Sequence, residues 1–325
     1  MAAHTFFFFI FLFTNFCLYS SPTTLALFST YHPPICHDHE KSALLQFKDS
    51  FTIDEKWLVP CDPKFEAWKV DGGEEASDCC MWDGIECDDI TGHVISLDLS
   101  SSCLLGSINS SSTLFQLLHL RSLNLAYNRF NYSSIPSALG LLPNLTHLNL
   151  SYSFFSGPIP SSISNLSKLS SLDLSTYYGS KLKTNPDFKT LIGKLGNLQV
   201  LHLDRVNMSS TVPNDILAIS SSLVSLSLVE CNLRGEFPFT RIFQLLPKLE
   251  DLLLDSNPNL TGDNPFGVQD TSLSWMGNLA KLTHLSLGGS NLVGEIPSSL
   301  ANLTNHSVLD ISSNQLTGNG SKIVV

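Results

Sequence analysis

From Val94 to Ile311 the chain repeats one phrase: an apolar residue, two variable residues, a leucine, one variable residue, another leucine. It reads Val94-x-x-Leu97-x-Leu99, then Leu120-x-x-Leu123-x-Leu125 and Leu145-x-x-Leu148-x-Leu150, and it ends on Leu309-x-Ile311. A unit this short buries its apolar side only by stacking on its neighbours, so the periodicity predicts a solenoid. Nine copies anchor on Leu97, Leu123, Leu148, Leu172, Leu201, Leu226, Leu252, Leu285 and Leu309, most of them 24 to 26 residues apart. The Leu-x-Leu alternation predicts a short strand with leucines inward and variable residues outward. Function is expected in an extended surface rather than in a pocket.

Three residues after the last leucine stand Asn128, Asn257 and Asn314, with Cys231 in the same slot of the sixth copy. A buried asparagine there bonds backbone groups that the turn leaves unpaired. Serine and other residues hold the slot elsewhere, which predicts an interrupted ladder. A second signature follows as Phe155-Ser-Gly-Pro-Ile-Pro160, Leu233-Arg-Gly-Glu-Phe-Pro238 and Leu292-Val-Gly-Glu-Ile-Pro297. Glycine supports a tight turn and proline an extended backbone that donates nothing to a ladder. Segments such as Ser161 to Leu166 predict a helical turn on the convex side. With these positions the sequence resembles the plant-specific class of leucine-rich repeats in extracellular receptors. The implied fold is an α/β solenoid, a curved superhelix with short parallel strands on its concave face.

Two copies are long. Leu172 to Leu201 includes Tyr177-Tyr178-Gly179 and Asn185-Pro186, and Leu252 to Leu285 includes Asp263-Asn264-Pro265 and Asp270-Thr271. Both insertions are expected to bulge from the convex side or the rim.

Three regions follow: a signal peptide over 1–26, a cap over 36–92, and about nine repeats over 93–325, the last incomplete. Phe6 to Tyr19 is a largely apolar run of 14 residues, too short to span a bilayer and suited to a secretory signal. Cleavage is expected near Ser20 and Ser21 or after Ala26; an uncleaved anchor reaching Phe28 is the alternative. The cap carries 15 acidic residues against five lysines, while the whole chain is −11, so the repeats are nearly neutral. An acidic cap does not seek nucleic acid.

The cap opens with Cys36-His-Asp-His-Glu-Lys-Ser-Ala-Leu-Leu-Gln-Phe-Lys48. Leu44, Leu45, Phe47 and Phe51 suit one side of a helix over the first repeat. Trp68 precedes Cys79-Cys80-Met-Trp-Asp-Gly-Ile-Glu-Cys87. This segment resembles the amino-terminal cap of plant leucine-rich-repeat receptors, which covers the exposed apolar end of the solenoid. The resemblance implies disulfides Cys36–Cys79 and Cys80–Cys87. Zinc is the competing use of adjacent thiols, but the spacing lacks the usual ligand pattern and secretion favours oxidation. Cys61 and Cys103 stay unassigned, and Cys231 reads as a buried free thiol.

Ten Asn-x-Ser/Thr sequons lie in the repeats, at Asn109, Asn131, Asn144, Asn149, Asn165, Asn207, Asn259, Asn302, Asn305 and Asn319. With the signal segment they support the secretory route, and a glycan on Asn149 would obstruct the concave face. The outward positions give the candidate ligand-binding face: Arg121, Asn124, Tyr127, His147, Tyr152, Asp173, His202, Asp204, Arg205, Glu230, Glu250, Asp251, Asp255 and His284. Polar and aromatic side chains there suit recognition of a peptide or protein.

No phosphate loop, His-Glu-x-x-His, nucleophile elbow or kinase signature occurs. His37-Asp38-His39-Glu40 and His202-x-Asp204 lack a nucleophile or third ligand at supporting spacing, so no catalysis, cofactor or metal is expected. In the ninth copy His306 takes a slot that other copies fill with Leu or Val, and neither a closing cap nor an apolar run of spanning length follows, which predicts an exposed apolar edge. The chain resembles plant receptor-like proteins of the group that includes the tomato Cf resistance proteins, apparently truncated at the carboxyl end. That resemblance implies extracellular or cell-surface recognition of ligands in defence or development, with receptor kinases as co-receptors. The second reading is a secreted inhibitor similar to polygalacturonase-inhibiting proteins, and the third is a fragment of a broken gene.

Overall fold

The computed structural model describes residues 35–54, 61–69, 77–185, 188–262, 282–295 and 308–317. The expected signal peptide, the inserted 263–265 and 270–271, His306, and sequons Asn302, Asn305 and Asn319 lie outside the described residues.

Each Leu-x-Leu forms a strand three to five residues long. In chain order these are β2 (Val94–Asp98), β3 (Ser122–Asn124), β4 (His147–Asn149), β5 (Ser171–Asp173), β6 (Val200–His202), β7 (Ser225–Ser227), β8 (Asp251–Leu253), β9 (His284–Ser286) and β10 (Val308–Asp310). The cap adds β1 (Ile85–Cys87), antiparallel to β2, and the rest are parallel neighbours in sequence order. The central leucines align one to one, from Leu97↔Leu123 through Leu172↔Leu201 and Leu252↔Leu285 to Leu285↔Leu309. The strands that flank both long copies therefore keep the shared register. A one-residue slip would turn every leucine into solvent. Burying one leucine is worth about 1.5–3 kcal/mol, so register is held at every coil.

The Gly-x-Ile-Pro signature builds a second set of ladders. Gly157–Pro158 pairs in parallel with Leu182–Lys183, Arg234–Phe237 with Asn259–Gly262, and Val293–Glu295 with Gln315–Thr317. Gly157 and Gly235 sit at φ 80° and 94°, where a side chain would strain the turn. Tight helical turns follow on the opposite side at Thr113–Gln116, Ser137–Leu141, Ser161–Asn165 and Pro213–Ala218.

The asparagine ladder is more continuous than the sequence suggests. Asn257 Nδ2 donates to the Leu228 and Leu254 carbonyls at 2.8 Å, and its Oδ1 accepts from Leu233 N–H. Ser153 Oγ, Cys231 Sγ and Ser290 Oγ reach the equivalent carbonyls of the preceding coil, Leu125, Leu203 and Leu254, at 2.7, 3.0 and 3.0 Å. The backward rung survives in these coils because a short donor spans that distance. Ser153 Oγ also accepts from the Asn128 N–H at 3.3 Å, so one hydroxyl does part of the work of both amide atoms.

The cap helix α1 spans Asp38–Lys48 and buries Leu44 and Phe47 against the first repeat, with Leu45 partly covered. Thr113 Oγ1 donates to the Ala43 carbonyl at 2.7 Å. Phe51 lies beyond the helix, in Phe51–Ile53, an antiparallel partner of Leu104–Gly106. It still packs edge-on to Phe47 at 4.9 Å. Phe65, Trp68 and Trp82 fill the space beneath, with Trp68 and Trp82 stacked at 5.3 Å. Cys36 is bonded to Cys79, Cys80 to Cys87, and Cys61 to Cys103. The third bridge ties the cap to the loop after the first repeat strand, a pairing that spacing alone does not indicate. Cys36, Cys79 and Cys80 sulfurs lie within 4.8 Å of one another, but each is spent in a disulfide and none is a thiolate for zinc.

Candidate recognition face

Outward side chains of the sheet fall into aligned columns because the strands share one register. One column runs Ser122, His147, Ser171, Val200, Ser225, Asp251 and His284. The next runs Asp98, Asn124, Asn149, Asp173, His202 and Ser227. Of the face expected from sequence, Asn124, His147, Asp173, His202, Asp251 and His284 stand on strands. Tyr127, Tyr152, Asp204, Arg205, Glu230 and Asp255 stand in the turns just after them, and Arg121 and Glu250 just before.

Several of these polar groups are engaged in holding the coils together. Asn124 Oδ1 accepts from Ala126 N–H at 3.2 Å and Asp173 Oδ1 from Ser175 N–H at 2.9 Å. Asp204 Oδ1 takes Ser227 Oγ and Val229 N–H, and Asp255 Oδ1 takes Ser286 Oγ and Gly288 N–H. These carboxylates bridge adjacent turns through one oxygen. The pattern Asp/Asn-x-Ser at 98–100, 149–151, 173–175 and 310–312 signals only the local bond to the backbone two residues on, and Asp204 and Asp255 lie outside it. Arg121 pairs with Asp88 at 3.2 Å, and Arg205 Nε with Glu230 at 2.8 Å, a bond that raises the Arg205 pKa.

His284 Nδ1 lies 2.7 Å from Asp251 Oδ1 and 2.9 Å from Thr283 Oγ1. Both contacts use one ring nitrogen, and Nε2 has no hydrogen-bond partner among the described residues. The pair orients an imidazole toward solvent without the nucleophile a hydrolytic triad needs. His147 is exposed, its Nδ1 2.8 Å from Thr146 Oγ1. His202 Nε2 contacts Ser225 Oγ at 3.0 Å.

Two clusters escaped the sequence reading. Tyr127 and Tyr152 stack at 5.0 Å and continue through Tyr177, Phe154 and Tyr132 as one chain of rings. The first insertion brings Tyr177 to the rim of the sheet, and the shared slot of Tyr127 and Tyr152 was the available signal. Burial, then the neighbouring Asp204, raises the Tyr152 phenol above its ordinary value. In the cap, His93 stacks between His37 at 4.0 Å and His119 at 3.6 Å, beside buried Glu40.

Among the described sequons Asn109, Asn131, Asn165, Asn207 and Asn259 are exposed, and Asn144 and Asn149 are half-buried. Asn149 Oδ1 binds both the N–H and hydroxyl of Ser151, the third residue of its own sequon. Asn144 donates to the Leu118 carbonyl and accepts from Lys168.

Residues 37–88 match the leucine rich repeat N-terminal domain, and residues 119–142, 144–166 and 281–303 match the leucine rich repeat. Register, cap and these matches define a leucine-rich-repeat protein of the plant type. In sequence it groups with the plant receptor-like proteins, a non-catalytic family. It is 38% identical over 311 residues to Receptor-like protein 6 of Arabidopsis thaliana, covering 90% of this chain and 29% of that one. It is 37% identical over 298 residues to Receptor-like protein Cf-9 of Solanum pimpinellifolium, covering 88% and 32%. The chain thus spans about a third of the length of these curated relatives. Among solved structures, a plant ice-binding protein superposes with a TM-score of 0.65 at 26% identity, over 88% of this chain and 89% of that chain. The ectodomain of the Arabidopsis receptor kinase HAESA, solved with the peptide hormone IDA, gives 0.56 at 27% identity, over 85% and 49%. No helix among the described residues is long and apolar enough to cross a membrane.

Proposed function

We propose that the sheet face of this chain recognises an extracellular peptide or protein ligand, and that receptor kinases act as its partners in defence or developmental signalling. The observation that supports this reading is the unbroken register across both long copies, which turns short strands into one continuous row of outward side chains. A ligand laid along such a row contacts several coils at once, so a few aromatic or charged anchors can be met at the spacing of the strands while the other contacts exclude water. The peptide-bound HAESA ectodomain shares the fold. Exposed sequons away from the sheet fit passage through the secretory route and a place at the cell surface.

The test uses the secreted protein with a photoreactive benzoylphenylalanine at His147, at His284, or at exposed Leu141 on the opposite side. Irradiation in plant extracellular fluid should give one product of constant mass from the two sheet positions and none from Leu141. Equal labelling from all three positions would remove the reading.

A further inference from the structure

A groove of about 660 Å³ lies beside the second set of ladders, where each coil passes into its helical turn. Its walls come from four successive coils: Asn109 in the first, Ser133 to Ser137 in the second, Pro158 to Ser162 in the third and Asn185 in the fourth. Adjacent coils stand about 4.8 Å apart, so the groove runs roughly 14 Å along the solenoid. Clefts of about 300–1,000 Å³ hold small ligands, and recognition at the sheet makes no use of this one.

The lining has one chemical character. Seven serines and two asparagines accompany the rings of Pro136, Pro158 and Pro160, and no lining residue carries a charge. Ser133 Oγ and Ser162 Oγ, both from the walls, are buried with no hydrogen-bond partner among the described residues. Buried hydroxyls ordinarily have one, so the fold leaves two polar atoms unsatisfied here. A phosphate, a uronate or a basic peptide would meet no opposite charge. A neutral sugar matches the walls, because its hydroxyls both donate and accept and its C–H faces suit proline rings.

One source of sugar is built into the wall. Asn109 opens the sequon Asn109-Ser110-Ser111, and among the described, exposed sequon asparagines it alone lines the groove. Its Oδ1 accepts from the Ser111 N–H at 2.9 Å and from the Ser111 hydroxyl at 2.6 Å. Those bonds fix the amide and leave Nδ2, the atom that carries an N-linked glycan, with no partner among the described residues. Asn207 Oδ1 accepts in the same way from Ser209 N–H at 3.0 Å, yet Asn207 is no part of the groove.

We propose that the groove is the seat of an N-linked glycan on Asn109, whose first neutral sugars lie across the three following coils instead of standing free in solvent. This rests on passage through the secretory route and names what one sequon's sugar does there.

The experiment uses protein secreted from cells that stop at high-mannose glycans, treated in its native state with an endoglycosidase that cuts between the first two sugars. Glycopeptide mass spectrometry follows release at each site. Release at Asn109 should be at least about tenfold slower than at Asn207 while the protein is folded, and equal to it once denatured. Ser161→Trp, or Ser134→Trp in the preceding coil, places a bulky ring at an exposed position of the wall and should raise release at Asn109 to the rate at Asn207. Asn109→Asp keeps the Oδ1 acceptor but carries no glycan, so it should lower the melting temperature by about 2 °C or more, whereas Asn207→Asp should not. Equal native release at the two sites, slow release that persists in both tryptophan variants, or equal melting shifts in the two aspartate variants would each overturn the seat. Retention of free cellohexaose by the glycosylated protein would show the groove open and overturn it too. Occupied sequons elsewhere with Asn109 bare would overturn the seat alone; no occupied sequon at all would overturn the secretory reading beneath it.

Discussion

The Glu40 carboxylate, on a helix of the cap, accepts the backbone N–H of Val94 at 3.1 Å, at the first residue of the first repeat strand. In later coils the equivalent amide, such as that of Leu120 or Leu145, donates to a carbonyl three residues back in its own coil, Leu117 or Leu142. At the first strand Glu40, fully buried on the cap helix, supplies that acceptor instead.

Replacing Glu40 with alanine leaves the Val94 donor buried and unpaired, which should cost about 1–3 kcal/mol. Glu40→Gln keeps an acceptor and should cost less. Hydrogen exchange at the Val94 amide, read against global unfolding, should accelerate in the alanine variant before the rest of the sheet does.

Cys231 should behave as an interior rung rather than a reactive thiol. Burial, followed by the field of Asp204, pushes its pKa far above the ordinary 9.0. With the folded pKa raised, its contribution is fully present below about pH 9 and is lost as pH rises beyond that. A thiol reagent at pH 8 should label unfolded protein and leave native protein untouched. Cys231→Ser, which keeps the donor to Leu203, should cost less than Asn257→Ala, which deletes every rung at its coil.

Asp98 gives the opposite pH signature. Burial pushes its pKa up, but hydrogen bonds from the Ser100 hydroxyl and backbone, with Lys64, outweigh that and hold it below 3.8. Its contribution is therefore present above pH 3.8 and lost as pH falls through the folded value. Asp98→Asn should flatten the acid limb of a thermal-stability profile taken from pH 6 to pH 2.

The Cys61–Cys103 bridge closes a sequence separation of 42. Replacing both cysteines with serine should cost about 2–4 kcal/mol in chemical unfolding. Peptide mapping of the unreduced protein should recover the linked fragments.

Much of the architecture is written in the sequence. Leucine positions fix strands and register because a slip exposes every core residue at once. The bridge partners of Cys36 and Cys80 follow from likeness to a known cap, while Cys61 meets Cys103 only because the fold carries the cap back onto the first coil. The binding face was harder to read. Asp204 and Asp255 look like solvent-facing carboxylates in sequence, yet each spends an oxygen on the turn of the next coil. Tyr177 falls outside the regular slot and reaches Tyr152 only through the way the insertion folds. His37, His93 and His119 are scattered in sequence and share no motif, so their stack becomes visible only when the cap is docked.

The central claim, that the sheet is the working surface, is tested most directly with a glycan wedge. Ser122→Asn with Asn124→Thr creates an acceptor at the first residue of β3, facing outward. Affinity for the captured extracellular ligand is measured by calorimetry with the glycan present and after its enzymatic removal. Loss of at least tenfold that returns on deglycosylation is the expected result; unchanged affinity with the wedge occupied would contradict the account.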